Sequence, residues 1–471
     1  MKKDCSPLRT EFKGEIMRDI DFTSGPIFKK ILIFSLPLMV GNVFQQLYNI
    51  VDTLVVGRYL GEAPLAAVGS AYTLMIFLTS ILIGLSMGSS VYFSLCFGKK
   101  DFSRMRQSIF ISFVSIGLLT VVMNGAVYAL LDPIVSFMQI PEEVEPFFRE
   151  YLWWIFTGIV AVFLYNFGAA LLRAVGDSVT PLAFLILSSL MNVVLDILFV
   201  VYFGWGVAGA AQATVISQYV SGLGIFGYCF LFKKDFHLSR SEMVWDGSIF
   251  RDMSELSLLT SLQQSIMNFG ILLVQGLVNS FGTAVMAAFA AGVKIDTIAY
   301  SPLQDFGNGF STYVAQNYGA GNRKRIRDGV VTAGKMVLAF SIVSSLIVSL
   351  LAPQLMGFFV PETAKEVIAI GSHYLRIEGS CYIGIGILFM LYGYYRAIKR
   401  AGMSVILTIL SLGTRVVLAY VLSAIPFFGV TGIWLSIPIG WALADMYGIM
   451  KGYRKLMGRA VWHADGWSHE P

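Results

Sequence analysis

Charge is what this 471-residue sequence has least of. Asp, Glu, Lys and Arg make up only 13% of it, about half of the roughly 25% usual in soluble domains. With 56% hydrophobic residues and a mean hydropathy of +0.71, that shortage excludes a soluble multidomain enzyme, a disordered chain and a nucleic-acid binder. Cysteine is equally sparse: Cys5, Cys96, Cys229 and Cys381 stand alone without C-x-x-C spacing, which excludes a secreted disulfide framework. The four histidines, His237, His373, His463 and His469, show no H-E-x-x-H or other ligand spacing, and no Walker A sequence occurs. These absences argue against a membrane-embedded enzyme and an ATP-driven pump, so no catalytic residues and no organic cofactor are expected. No apolar h-region with a cleavage site precedes the first long span, so no cleaved signal peptide is expected.

Long apolar runs are what the sequence does have. Crossing about 30 Å of hydrocarbon takes roughly 20 helical residues, and twelve runs of that kind follow one another between residues 31 and 452. The fourth is read at 149–173 and the tenth at 369–394. Pro37, Pro302 and Pro438 fall inside spans and should kink them. Pro64 and Pro181 suit first turns. Basic residues crowd alternate loops, as at Lys99, Lys100, Arg104 and Arg106, at Arg323, Lys324, Arg325 and Arg327, and at Arg396, Lys399 and Arg400. The positive-inside rule then puts both termini in the cytoplasm.

The chain also repeats itself. One fixed shift aligns Gly61 with Gly282, Gly88 with Gly309, Ser90 with Ser311, Gly98 with Gly319 and Arg104 with Arg325. A shift two residues longer aligns Tyr151 with Tyr374, Arg173 with Arg396 and Gly209 with Gly432. The expected fold is therefore all-α and integral to the membrane: twelve transmembrane helices in two pseudo-symmetric six-helix bundles around a central cleft. Residues 1–30 form a cytoplasmic N-terminal segment, 31–232 a first lobe, 233–253 a cytoplasmic linker, 254–452 a second lobe and 453–471 a cytoplasmic tail. Parallel repeats of this kind suit alternating access.

Features shared by the halves read as scaffold, so departures in polar chemistry point to function. Asp52 aligns with Leu273, Asp196 with Ala419, Asn192 with Arg415 and Thr214 with Ile437. Counted from the outer ends of their spans, Asp52, Asp196 and Thr214 share a layer roughly 7–11 Å deep. Asn192 and Asp196 lie on one helix face, as do Tyr48 and Asp52. No Lys or Arg lies within these spans, so the carboxylates should bind a proton, a metal cation or a cationic substrate. The alternatives are that Asp52 snorkels outward, or that Asp196 bonds neighbouring hydroxyls as interhelical glue. The second half carries Lys294, Asp296, Asp305, Glu378 and Arg415. Lys294, Asp296, Glu378 and Arg415 sum to zero charge, which suits an ion-pair network, with a direct proton or substrate site as the alternative. Gln45, Tyr48, Gln263, Gln264, Asn268 and Tyr300 are candidates for a polar cavity wall. Aromatic and methionine-rich surroundings would suit lipophilic cations.

Four stretches carry a resemblance to a known family. They are Gln45-Gln46-Leu47-Tyr48-Asn49-Ile50-Val51-Asp52 with Val56-Gly57, Leu172-Arg173-Ala174-Val175-Gly176-Asp177, Asn192 with Asp196, and Gln316-Asn317-Tyr318-Gly319-Ala320-Gly321. Together they resemble the multidrug and toxic compound extrusion (MATE) family over residues 30–455, nearer its bacterial DinF- and MepA-like branches. The resemblance implies an antiporter of the bacterial inner membrane that exports small, often cationic or amphipathic, drug-like compounds against an inward H+ or Na+ flow. A monomer in the lipid bilayer is expected. It also implies that Asp52, Asn192, Asp196 and Thr214 form a coupling-cation site able to hold H+ or Na+. Some members of the family place a carboxylate in the seventh helix as part of a second-lobe cation site. Here span 254–279 has acid only at Glu255, which argues against a second-lobe Na+ site and favours coupling through the first lobe, and H+ is expected rather than Na+. A flippase for a lipid-linked or anionic substrate is the rival reading.

Overall fold

A computed structural model describes residues 20–361 and 363–457. Residues 1–19 and 458–471, with Cys5, His463, His469 and most of the N-terminal segment and tail, lie outside the described residues. Among the described residues no strand occurs. An apolar solvent offers the backbone no hydrogen bonds, so each span must close its own, and the helix does this without a partner.

Helices α1 (Ile27–Tyr59), α2 (Glu62–Lys99), α3 (Phe102–Ala129) and the short α4 (Leu131–Met138) lead into α5 (Glu145–Thr157) and α6 (Ile159–Ala174). Next come α7 (Val179–Asp196), continued by a π-helical stretch over Ile197–Tyr202, and α8 (Gly206–Phe232). The rest is α9 (Gly247–Asn279), α10 (Thr283–Gly319), α11 (Arg323–Gly357), α12 (Lys365–Gly379), α13 (Tyr382–Ala397), α14 (Ala401–Ser423) and α15 (Val430–Met457). Ten of these elements are long and apolar enough to cross a membrane singly. The pairs α5–α6 and α12–α13, bent by 42° and 51°, bring the number to 12 if each is one span. These are the fourth and tenth runs read from the sequence. Helices α1, α10 and α15 run on through Pro37, Pro302 and Pro438. The breaks that divide one span into two helices fall at Gly158 and at Ser380–Cys381, where no proline stands. A Cβ on Gly158 would lie 2.5 Å from Gln218 Oε1, so its bareness admits α8 at the bend.

The chain divides into two compact units, one of Met1–Asn268, Gly309–Asn322 and Ala397–Lys399, the other of Phe269–Asn308, Arg323–Arg396 and Arg400–Pro471. In the first unit small residues set the helix spacing, since packing in a membrane depends on close backbone approach. A Cβ on Gly84 or Gly88 would strike the backbone of α9 at Ser261 or Ser257. Gly98 faces the backbone of Gln316, and its repeat partner Gly319 faces that of Leu95, so the ends of α2 and α10 cross through two equivalent glycines.

Residues 20–22 are strapped across this crossing. The Phe22 N–H donates to Gln316 Oε1 at 3.0 Å, and Asn317 Nδ2 donates to the Phe22 carbonyl at 3.1 Å. Gln316 Nε2 donates to the Ala174 carbonyl at 2.8 Å, while Ile20 N–H reaches the Gly176 carbonyl at 3.2 Å. Gly176 has φ +91°, and a Cβ there would strike Ile20. The Phe22 ring, fully buried, packs edge-on against Phe34 and Tyr313. The second and fourth family stretches thus meet in one clamp.

The basic linker is also tied down. Arg106 on α3 meets Glu242 at 2.7 Å, Ser239 donates twice to the same carboxylate, and Lys399 meets Asp252 at 3.2 Å. The Arg106 guanidinium holds the Glu242 carboxyl down at about 2, from an ordinary 4.5. A lowered folded value contributes stability above the ordinary range, lost as pH falls towards 2.

Two outcomes follow. Gln316→Ala strands the buried Phe22 N–H and Ala174 carbonyl and should cost about 2 kcal/mol or more, read as a lower melting temperature in detergent. Glu242→Gln should melt below the parent at neutral pH, and the gap should close as the pH is taken below about 4.

Candidate functional site

In the first unit the four residues singled out by the broken repeat come together. Asp52 sits on α1 seven residues before Tyr59, Asp196 six before the end of the π-helical stretch, and Thr214 eight after Gly206. All three are therefore about 9–12 Å from their helix ends. Asn192 Nδ2 donates to Thr214 Oγ1 at 3.2 Å, which links α7 to α8. Asp196 is fully buried and Asn192 nearly so, with Asp52 partly buried. The two carboxylates are close enough for their charges to repel.

The unmet needs of this cluster are the telling feature. Asn192 Oδ1, both oxygens of Asp196 and Asp52 Oδ1 are buried, with no hydrogen-bond partner among the described residues. Buried acceptors in native folds are almost always satisfied, and an isolated carboxylate out of water is far costlier than an amide. Two carboxylates, an amide and a hydroxyl offer oxygen only, which fits a proton or an alkali cation. Among the described residues no group of three His, Cys, Asp or Glu side chains that could hold a metal occurs.

Asp196 is the last α-helical residue before the wider turns of Ile197–Tyr202. Such π-helical insertions recur at functional sites, and apolar periodicity gave no sign of this one. Tyr151 interacts with both acids and with Tyr48 and Tyr72. Tyr48 in turn reaches Asp52 and Gln45, so two of the cavity candidates stand beside the acids. Gln263 is buried with Oε1 unpartnered, Gln264 donates to Met87 Sδ at 4.0 Å, and Asn268 is exposed.

The second unit has its own acidic centre. Tyr382 Oη donates to Asp296 Oδ1 at 2.6 Å. The Asp296 and Glu378 side chains hydrogen-bond each other, Tyr374 bonds Glu378, and Arg415 acts on both acids. Tyr300, a candidate cavity residue, belongs here, interacting with Asp296, Glu378 and Arg415. Lys294 does not: it is exposed, two residues from a buried Asp296, because neighbouring positions on a helix face different ways. A bond between two carboxyl groups requires one proton, and that proton supplies the balancing charge expected of Lys294. Asp305 lies further along α10, partly buried. The aromatic rings of Phe289 and Trp434 pack around Tyr374, which enters over Gly292, where a Cβ would lie 2.6 Å from its ring. Tyr151 and Tyr374 are repeat partners, and reading shared residues as scaffold missed that each touches the acids of its unit.

The MatE family model matches the chain twice, over residues 37–198 and 259–421, once for each sequence repeat. The "Probable multidrug resistance protein YpnP" of Bacillus subtilis (strain 168) is 31% identical over 423 residues, spanning 89% of this chain and 92% of that protein. The "FAD transporter" of Shewanella oneidensis is 24% identical over 436 residues, spanning 88% and 92%. A solved outward-facing conformation of a multidrug resistance MATE family transporter of the MOP superfamily shares the fold. Its TM-score is 0.87 at 24% identity, over 93% of this chain and 98% of that one.

Tyr382→Phe should remove one donor from the buried Asp296 and cost about 1–3 kcal/mol, read as a lower melting temperature of the purified protein.

Proposed function

The chain belongs to the MatE family, a family of multi-pass membrane transporters rather than enzymes, and on that premise we propose that it exports drug-like compounds by exchange with an inward-moving cation. The carrying observation is the cluster of Asp52, Asn192, Asp196 and Thr214, with four buried oxygens that lack donors. A proton entering from outside satisfies one carboxylate and cancels the repulsion between the two. Its loss towards the cytoplasm restores that repulsion. A site that is stable in one charge state and strained in the other is what couples an ion gradient to a conformational exchange.

H+ is preferred to Na+ as the coupling ion. The repelling carboxylates of Asp52 and Asp196 are the groups of the cluster that take up a proton, and one proton between them relieves their repulsion, which supports H+. Substrates of the same reading are lipophilic organic cations, received by the tyrosines beside the acids through cation–π contact, with the Gln45 amide as a polar contact. Transport by alternating access, a monomeric state, and residence in the bacterial inner membrane with both termini in the cytoplasm complete the proposal. Likeness to the FAD transporter supports a second reading, an anionic substrate, for which Arg415 supplies a cation within the second unit.

Ethidium efflux from pump-deficient bacteria tests it. Asp196→Asn, at matched membrane levels, should reduce efflux about a hundredfold, to background, and collapse of the proton gradient should do the same to the parent. Full efflux by Asp196→Asn would overturn the site. Efflux that survives proton collapse and requires sodium would move the coupling to Na+.

A further inference from the structure

The last helix holds a carboxylate that neither acidic centre uses. Asp445 lies on α15, fifteen residues from Val430, and is only 6% exposed. Its Oδ1 is buried without a partner, and among the described residues Asp445 takes part in no hydrogen bond or ion pair. The residues packed on it explain the room it has. Gly384 on α13 faces it, and a Cβ there would lie 3.8 Å from Asp445 Oδ2 and 3.3 Å from the Trp441 side chain. Tyr392 on α13, hydrogen-bonded to Thr408 of α14, is the one titratable group in electrostatic reach among the described residues. Among the described residues no Lys or Arg pairs with it or perturbs it electrostatically.

The internal repeat shows that this carboxylate is an addition to a helix crossing that works without it. At the longer repeat shift Asp445 corresponds to Gly222 and Gly384 to Ala161. In the first unit Gly222 packs straight onto Ala161, where a Cβ on Gly222 would lie 2.5 Å from the Ala161 carbonyl oxygen. In the second unit the bare residue has moved to the opposite helix, and the space it leaves is taken by a carboxyl group. A packing role is already met by glycine and alanine. As interhelical glue a carboxyl needs a donor, and Asp445 has none. An ionised carboxylate in that position carries a desolvation cost of several kcal/mol with nothing to offset it.

We propose that Asp445 is a proton-binding site of the second unit, separate from the Asp52–Asp196 and Asp296–Glu378 pairs, and that the proton it exchanges takes part in transport. The step is the formation of one O–H bond on the carboxylate by a proton taken from water, and its return to water when the site opens. Gly384 and the Trp441 side chain supply no oxygens, so the site suits a proton and not a coordinated metal ion. Asp445 lies seven residues, about 11 Å, before Gly452, where the apolar membrane-crossing stretch of its helix ends, and fifteen after Val430, so its shorter route to water is on the Gly452 side.

The binding claim is tested without any transported substrate. Membranes containing the intact protein are treated with dicyclohexylcarbodiimide, an apolar reagent for protonated carboxyls, and the adducts are mapped by peptide mass spectrometry. Asp445 should be modified at mildly acidic pH, with the yield falling about tenfold or more as the medium is made alkaline. Absence of an adduct on Asp445 at every pH overturns the proposal. The transport claim is tested by ethidium efflux. Asp445→Asn should lower efflux about tenfold at an unchanged melting temperature, and Asp445→Glu should restore part of it. Efflux by Asp445→Asn within about twofold of the parent also overturns it. Parent protein that moves no ethidium would instead count against the drug-efflux reading, and the adduct on Asp445 would still decide this one.

Discussion

A polar atom inside the hydrocarbon layer has no water to turn to, and the rest of this structure follows from that constraint. The backbone meets it by closing into helices. Hydroxyls meet it by bonding back to the preceding turn, as Thr120 does to Ile116 and Ser217 to Ala213. Where helix ends must be joined, amide side chains do the work: Gln316 alone serves the Phe22 N–H and the Ala174 carbonyl. Against so much satisfaction the exceptions are conspicuous. Among the buried oxygens left without a donor, Asp52 Oδ1, both oxygens of Asp196 and Asp445 Oδ1 belong to carboxyl groups, for which that lack is costliest, and Asn192 Oδ1 lies beside two of them.

The internal repeat explains how a scaffold and a site can coexist at such close quarters. Gly98 and Gly319 are equivalent, and each admits the other's helix. Tyr151 and Tyr374 are equivalent, and each abuts acids. What differs is the polar group held at corresponding places: Asn192 in one half and Arg415 in the other, Gly222 in one and Asp445 in the other. Helix spacing depends on small residues and tolerates little change, whereas a side chain projecting from a settled crossing can be exchanged cheaply. Duplication thus preserves the crossings and leaves the chemistry free to diverge.

Much of the site was legible because a carboxylate in an apolar run is hard to overlook, and because comparing the halves separates the shared from the particular. That comparison picked out Asp52, Asn192, Asp196 and Thr214. Applied to the last span it also finds Asp445 opposite Gly222. It failed where neighbours in sequence part company in space: Lys294 sits two residues from Asp296 and faces elsewhere. It failed again where a bend has no proline, at Gly158 and Ser380, since a break there depends on what packs alongside. The strap of residues 20–22 was invisible, because its partners are Ala174, Gly176, Gln316 and Asn317, far away along the chain.

The sequence by itself determined the class of the molecule: an all-α membrane protein of repeated spans, with acids where none should be tolerated. Those properties are sums along the chain, of hydropathy, periodicity and self-similarity, and they need no knowledge of neighbours. Only the tertiary structure decided which polar groups meet, which are satisfied and which are left wanting. That is a matter of pairing across helices, where a few ångströms turn a hydrogen bond into an orphaned oxygen, and no one-dimensional pattern records it.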